Sequence, residues 1–362
     1  MTTAGPSTAA PAVAPVRRVH TWGFSWRKHR LAAGFLADCR VSRLRDPAGV
    51  EPRDAVALWG SAAPPPGLPP GVALWRLEDG FLRSVGLGAD LVRPLSWVVD
   101  RLGIYYDAGA PSDLERLLAQ EPIDAALRRR AAALREALVA AGLTKYNLGG
   151  AAPWRRPAAC APGRPVVLVP GQVESDASIR HGAGAVHGNL ALLRAVRADR
   201  PQAWIVYKPH PDVVAGLRSG RIDGAEERAV YDELVTDAPM AALLEAVDEV
   251  QVMTSLAGFE ALLRGRPVST HGAPFYAGWG LTRDLGLPPA VAARRGRMRS
   301  LDELVACALL LYPRYVDAAG RPSSAEAVLA LLQQARQRGA RLPAWRRALR
   351  PLLGWAARRR GG

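Results

Sequence analysis

A short apolar, β-branched run, Val166-Val-Leu-Val169, stops at Pro170-Gly171 and releases a polar loop carrying Gln172, Glu174, Asp176 and Ser178. This pattern constrains the chain more than any other. In an open α/β sheet ligands bind just beyond the carboxyl ends of strands, which is where such a loop emerges. The same residues support a plainer reading with equal weight, in which Asp176 or Ser178 only caps the next helix.

The strand-then-loop pattern recurs on both sides of this stretch. Trp204-Ile-Val-Tyr207 leads into Lys208-Pro-His-Pro-Asp212, and Glu249–Met253 leads into the small-residue loop Thr254-Ser-Leu-Ala-Gly258, which opens a helix over Phe259–Arg264. Further strands are expected at Asp54–Trp59, Val72–Leu77, Trp97–Asp100, Gly103–Tyr106 and Pro267–Thr270. The apolar periodicity predicts helices over Arg30–Ala37, Asn189–Asp199, Met240–Val247, Ser300–Tyr312 and Ser323–Arg338. Two more helices follow the capping box at Ser112-Asp-Leu-Glu115 and run to about Gly142, with Leu114, Leu118, Leu134 and Leu138 facing inward. Trp22, Phe24 and Trp26 alternate as in a short strand or aromatic loop, suited to a core and also to a sugar ring. Strand-helix alternation in two halves implies an α/β protein of two Rossmann-type domains facing a central cleft, with C-terminal helices. The divisions expected are a disordered leader (1–15), a first domain (16–150), an Ala/Pro/Arg-rich linker (151–165), a second domain (166–299), helices (300–340) and a basic amphipathic tail (341–362).

Composition narrows the functions open to this fold. The 362 residues carry a net charge of +15, yet nine of the arginines lie from Ala327 onward with no acid among them. The remainder suits an anionic nucleotide or saccharide, and the tail suits an anionic membrane surface. No aromatic-basic RNA signature or zinc-finger spacing points to nucleic acid. Three cysteines, Cys39, Cys160 and Cys307, have neither metal nor disulfide spacing, so a reducing cytoplasm is expected, with peripheral attachment to the inner membrane through the tail. The Ala/Pro/Thr-rich start lacks the charged and apolar regions of a signal peptide. No metal or cofactor is called for by these residues.

Each loop has a chemistry. Glu78-Asp79-Gly80 places adjacent carboxylates at a strand end, where one charge can raise the other's pKa for acid/base work; a simple turn is the alternative. His210, held between two prolines and preceded at Lys208 by a cation, suits an anion. The hydroxyls of Thr254 and Ser255 at a helix start suit a phosphate.

Five stretches together resemble the capsular polysaccharide β-Kdo transferases of the KpsC type: Arg76–Gly88, Pro170–Ser178, Tyr207–Asp212, Thr254–Leu262 and Pro274–Thr282. The resemblance runs from about Trp22 to Tyr315. It implies a GT-B-like fold, CMP-Kdo as donor substrate, and transfer with retention onto a lipid-linked Kdo or saccharide acceptor. Matched residue by residue, it makes Asp176 the nucleophile and one of Glu78 and Asp79 the acid/base. His210 and Lys208 fall at the CMP phosphate, and Ser255 and Glu260 in the nucleotide pocket; Gln172, Glu174 and Thr254, on the same loops, are further candidates for binding substrate. Another CMP-nonulosonate donor, or a non-catalytic module of a polysaccharide export assembly, are the rival readings. Members of this type usually carry two such modules. One module implies a single-linkage enzyme beside a companion Kdo transferase and the capsule export machinery, or a different acceptor.

Overall fold

The computed structural model describes residues 18–84, 93–145, 153–214, 220 and 228–337. The expected leader, the basic tail and Gly86-Leu-Gly88 lie outside the described residues. In the first half, β1 (Arg18–Trp22), β2 (Arg40–Arg43), β3 (Ala55–Trp59) and β4 (Ala73–Asp79) lie parallel in the order β2-β1-β3-β4. β5 (Ser96–Asp100) adds to β4 antiparallel.

Gly103–Tyr106, expected as a strand, is instead a loop. The Asp100 carboxylate accepts the N–H groups of Leu102, Gly103 and Asp113 and so closes a turn directly after β5. Gly103 permits it, because a Cβ there would lie 2.5 Å from the Pro111 carbonyl oxygen. The aromatic triplet divides between environments. Phe24 is buried edge-on to Trp59 and Trp97, whereas Trp26 begins a helix (Trp26–Phe35) capped by Ser25 and is 62% exposed.

The second sheet is wholly parallel: β6 (Val166–Pro170), β7 (Trp204–Lys208), β8 (Glu233–Leu234), β9 (Glu249–Val252), β10 (Val268–Thr270) and β11 (Arg283–Asp284). All five residues of β6 are buried, as a strand covered by helices on both faces requires. The order β8-β7-β6-β9-β10-β11 is that of a dinucleotide-binding sheet, and the direction of winding reverses between β6 and β9.

Residues 300–340 are not helices alone. After a helix at Leu301–Val305 that continues as a π-helical turn over Ala306–Leu311, the chain crosses back to the first half. There β12 (Pro313–Val316) pairs antiparallel with β5, β13 (Pro322–Ser323) flanks it, and a last helix (Ala325–Gln337) follows. Pro313 lacks the N–H a continuing helix needs, and Tyr315 and Val316 suit the pleat. Arg130 grips Glu326 and Arg336 grips the carbonyls of Ala141 and Gly142, fastening that helix to Ala125–Ala140.

The halves share one core, in which Phe81 of the first stacks on Phe275 of the second at 4.8 Å. They also share a buried ion cluster. Glu115, on the helix Asp113–Gln120, accepts from Arg294 Nε at 2.7 Å and from Arg295 Nε at 2.8 Å. Arg295 donates onward to the carbonyls of Pro274 and Ala277, and Arg299 donates to the carbonyls of Leu117, Leu118 and Glu121 at that helix's end. Glu115→Ala leaves two guanidinium groups without their carboxylate, one of them almost fully buried. It should cost about 3–5 kcal/mol of unfolding free energy in a urea titration.

Candidate active site

The loops that follow β6, β7 and β9 and the end of β4 open onto one cleft of about 740 Å³ between the halves. Of the ten residues singled out from sequence, nine line it: Glu78, Asp79, Gln172, Asp176, Lys208, His210, Thr254, Ser255 and Glu260. Glu174 does not. Its carboxylate turns away to accept the Asn189 N–H at 2.9 Å, supplying the start of the helix Asn189–Asp199, whose own N-cap, Gly188, has no side chain to do so.

The loop after β6 is held in place from both sides. Asn189 brackets Gln172, accepting its N–H at 2.8 Å and donating to its carbonyl at 2.9 Å. The Gln172 side chain then reaches across the reversal point to Thr254, accepting from the Thr254 N–H and donating to its hydroxyl, both at 3.0 Å. Gly171 leaves room for this path, because a Cβ there would sit 2.7 Å from the Tyr207 hydroxyl. Asp176 follows as the N-cap of a six-residue helix, Ala177–Gly182, its Oδ1 accepting the Ser178 N–H at 2.8 Å. Cap and cleft are therefore not alternatives for Asp176, since one oxygen caps while the residue lines the cleft. Ser178 does not cap.

Lys208, the last residue of β7, is 8% exposed and donates to the Thr236 carbonyl at 3.1 Å. Burial lowers its pKa and Asp237 opposes that shift. His210 Nδ1 accepts the Asp212 N–H at 3.2 Å at the start of the short helix Pro211–Val214, which puts the neutral ring's proton on Nε2. Ser255 caps the helix Leu256–Leu263 through the Ala257 N–H at 3.2 Å, and its carbonyl accepts the Tyr276 hydroxyl. Glu260, buried on that helix, accepts the Lys145 N–H at 2.7 Å and so ties the second half to the first; burial raises its pKa.

Across the cleft, β4 delivers the acidic pair. Asp79 is engaged by the buried guanidinium of Arg83, which also donates to Ser84. Glu78 accepts only the Asp79 N–H at 3.0 Å among the hydrogen bonds shown by the described residues. Burial and the neighbouring Asp79 charge push the Glu78 carboxyl up to about 7, against the weaker pull of Lys145 and Lys28. The adjacent pair thus separates into an ion-paired carboxylate and one that exchanges its proton near neutrality.

Sequence reasoning passed over Tyr105, Tyr106 and Lys145, which also line the cleft, and Lys28, whose ammonium lies 3.4 Å from the Trp59 ring centroid and whose pKa burial lowers against the opposing pull of Glu78 and Asp79. The tyrosines were hidden by the strand expected at Gly103–Tyr106. An acidic pair aimed into a cleft calls for cations nearby, and that was the available signal for the two lysines.

Known proteins carry the same framework. The sequence pattern of the capsule polysaccharide biosynthesis protein family matches residues 67–148 and 155–315. The chain is 47% identical over 245 residues to the capsule polysaccharide modification protein LipA of Neisseria meningitidis serogroup A, covering 68% of this chain and 34% of that protein. It therefore spans about a third of LipA's length. The lipopolysaccharide-processing protein LpsZ of Rhizobium meliloti is 41% identical over 314 residues, covering 82% of this chain and 68% of LpsZ. Among solved structures, the β-Kdo 2,7-transferase of Thermosulfurimonas dismutans KpsC superposes with a TM-score of 0.72 at 37% identity, over 88% of this chain and 100% of that one. The β-Kdo 2,4-transferase of the same protein gives 0.75 at 33% identity, over 88% and 98%. The fold is GT-B-like, as these likenesses and the two sheets agree. By the extent of the family match, this chain belongs to the capsule polysaccharide biosynthesis protein family.

Proposed function

We propose that the protein is a retaining β-Kdo glycosyltransferase that takes Kdo from CMP-Kdo and adds it to the saccharide linker of a capsule lipid anchor. The observation that carries this reading is the placement of Asp176 and Glu78 on opposite halves of one cleft, with the buried Lys208 ammonium beside them. Two solved β-Kdo transferase structures share the fold across 88% of this chain, which supports the choice of sugar.

Retention at the anomeric carbon follows from two displacements. The Asp176 carboxylate attacks that carbon, the bond to the phosphate oxygen breaks, and CMP leaves with the electron pair. Lys208 supplies the positive charge for the phosphate, and His210 Nε2 and the Ser255 hydroxyl supply hydrogen-bond donors. An acceptor hydroxyl then gives its proton to Glu78 as its oxygen attacks the Kdo–Asp176 ester from the face CMP has left, and the Asp176 carboxylate is regenerated. Glu260 and Thr254 complete the nucleotide side of the pocket. The lipid-linked acceptor would bring the reaction to a membrane surface, which the arginines of 341–362 suit. Among the described residues no helix is long and apolar enough to cross a membrane.

Incubation with CMP-Kdo and a Kdo-terminated acceptor should add one Kdo mass to the acceptor, while a panel of CMP-nonulosonates should not substitute. No extension with any of these donors would set the reading aside, and preference for another donor would correct the sugar. Lys208→Met, which keeps the stem and removes the charge, should weaken CMP binding by roughly 10- to 100-fold in calorimetry.

A further inference from the structure

The side chains of Gln172, Thr254 and Ser178 form a hydrogen-bonded series whose direction can be worked out by counting protons. Because the Thr254 N–H donates to Gln172 Oε1, the Gln172 amide must present its NH₂ to the Thr254 hydroxyl, at 3.0 Å. Thr254 Oγ1 is in turn 3.3 Å from Ser178 Oγ. The two hydroxyls hold two protons, and their mutual bond uses one. Gln172 contributes a donor to the series and takes no hydroxyl proton from it, so one O–H is left over. With Thr254 donating to Ser178, the remaining proton belongs to the Ser178 hydroxyl, and Ser178 lines the cleft. The series therefore ends in a spare donor on a residue that lines the cleft.

Its position identifies the acceptor. The Ser178 N–H is 2.8 Å from Asp176 Oδ1, so with Asp176 as nucleophile Ser178 belongs to the nucleophile's side of the donor sugar. Two displacements that retain configuration require the departing phosphate on the opposite face, so the phosphate is not what meets Ser178. The group nearest the anomeric carbon of a 2-keto sugar acid, apart from nucleophile and leaving group, is the carboxylate bonded directly to it. That carboxylate must approach a second carboxylate, Asp176, and a donor between the two offsets part of their repulsion.

We propose that Ser178 is a substrate-binding residue that donates to the sugar carboxylate of the nucleotide-activated donor. Gln172 and Thr254 act as positioning residues that orient its hydroxyl. The inference rests on the CMP-ulosonate reading given above and adds a specificity contact to it.

The test is calorimetric titration of the Asp176→Asn protein, in which donor is not consumed, with CMP and separately with CMP-Kdo. Adding Ser178→Ala should weaken CMP-Kdo binding roughly 10- to 100-fold and leave CMP binding within about twofold. Ser178→Thr, which restores a hydroxyl, should recover most of the loss. Thr254→Val should weaken CMP-Kdo binding and, beyond any loss it causes to CMP itself, add little when Ser178 is already Ala, as expected for residues acting in series. Equal loss of CMP and CMP-Kdo would make Ser178 a phosphate ligand and overturn the assignment, as would full additivity of the two substitutions. Tight CMP-Kdo binding unaffected by Ser178→Ala would remove this contact and leave the transferase reading standing. Failure of the Asp176→Asn protein to bind CMP-Kdo more tightly than CMP would remove both.

Discussion

Asp176→Asn is expected to lower Kdo transfer by roughly 10⁴-fold or more while leaving the melting temperature nearly unchanged. The choice of asparagine follows from the geometry. Asp176 caps the helix Ala177–Gly182 through the Ser178 N–H, and alanine would remove both the cap and the nucleophile, costing about 1 kcal/mol of stability besides the chemistry. Asparagine is an equally good N-cap but cannot form the covalent sugar ester. Intact-mass measurement after mixing with CMP-Kdo, without acceptor, should show a Kdo adduct on the wild-type protein at Asp176 and none on the variant. Near-normal turnover by Asp176→Asn would remove Asp176 from the nucleophile's role, whatever its position in the cleft.

Glu78→Gln is the second large effect, about 10²- to 10⁴-fold in turnover, the usual worth of a positioned acid or base. Its signature is the pH profile. A base must be ionised before it can take the acceptor's proton, so wild-type activity should rise through about pH 7, where the Glu78 carboxyl titrates. The residual activity of Glu78→Gln should lose that limb, and Asp79→Asn should retain it but at lower pH, because the Asp79 charge is part of what raises Glu78.

Stability should move the other way. Glu78 titrates near 4.5 when unperturbed and near 7 in the folded chain, so between those values the folded chain holds a proton that the unfolded chain has released. Stability contributed by this site therefore falls as pH rises from about 4.5 through 7. Thermal melts should show Glu78→Gln gaining on the wild type as pH is raised from 5 to 8. A constant difference between the two across that range would contradict the raised pKa.

Of the strands of the second half, β6, β7, β9 and β10 were legible because they are largely buried, whereas the two-residue, partly exposed β8 and β11 were not. Val166–Pro170 and Trp204–Lys208 read as apolar runs, and Pro170-Gly171 and Pro209 mark where they stop. Less was legible where a residue's role depends on partners far along the chain. Glu174 has the same charge and loop as Asp176, yet Asn189 draws it out of the cleft. Glu78 and Asp79 are indistinguishable as letters, and the Arg83 guanidinium separates them. Gly103–Tyr106 has the composition of a strand, but Asp100 takes its N–H groups and turns the chain. The return of β12 to β5 joins segments more than 200 residues apart, and four strand residues amid helical periodicity do not announce it.

The sequence alone determined the α/β class, the places where strands end, and the residue types offered there: carboxylates, a lysine, a proline-held histidine and hydroxyls. These follow from local preferences of the backbone and from the pattern of apolar residues, which neighbours in the chain suffice to set. Only the tertiary structure decided which carboxylate faces the cleft, which one holds its proton to about pH 7, and that Gln172, Thr254 and Ser178 join in one hydrogen-bonded series. Direction, burial and proton affinity depend on groups brought close by folding, and a residue's own position in the chain does not encode them.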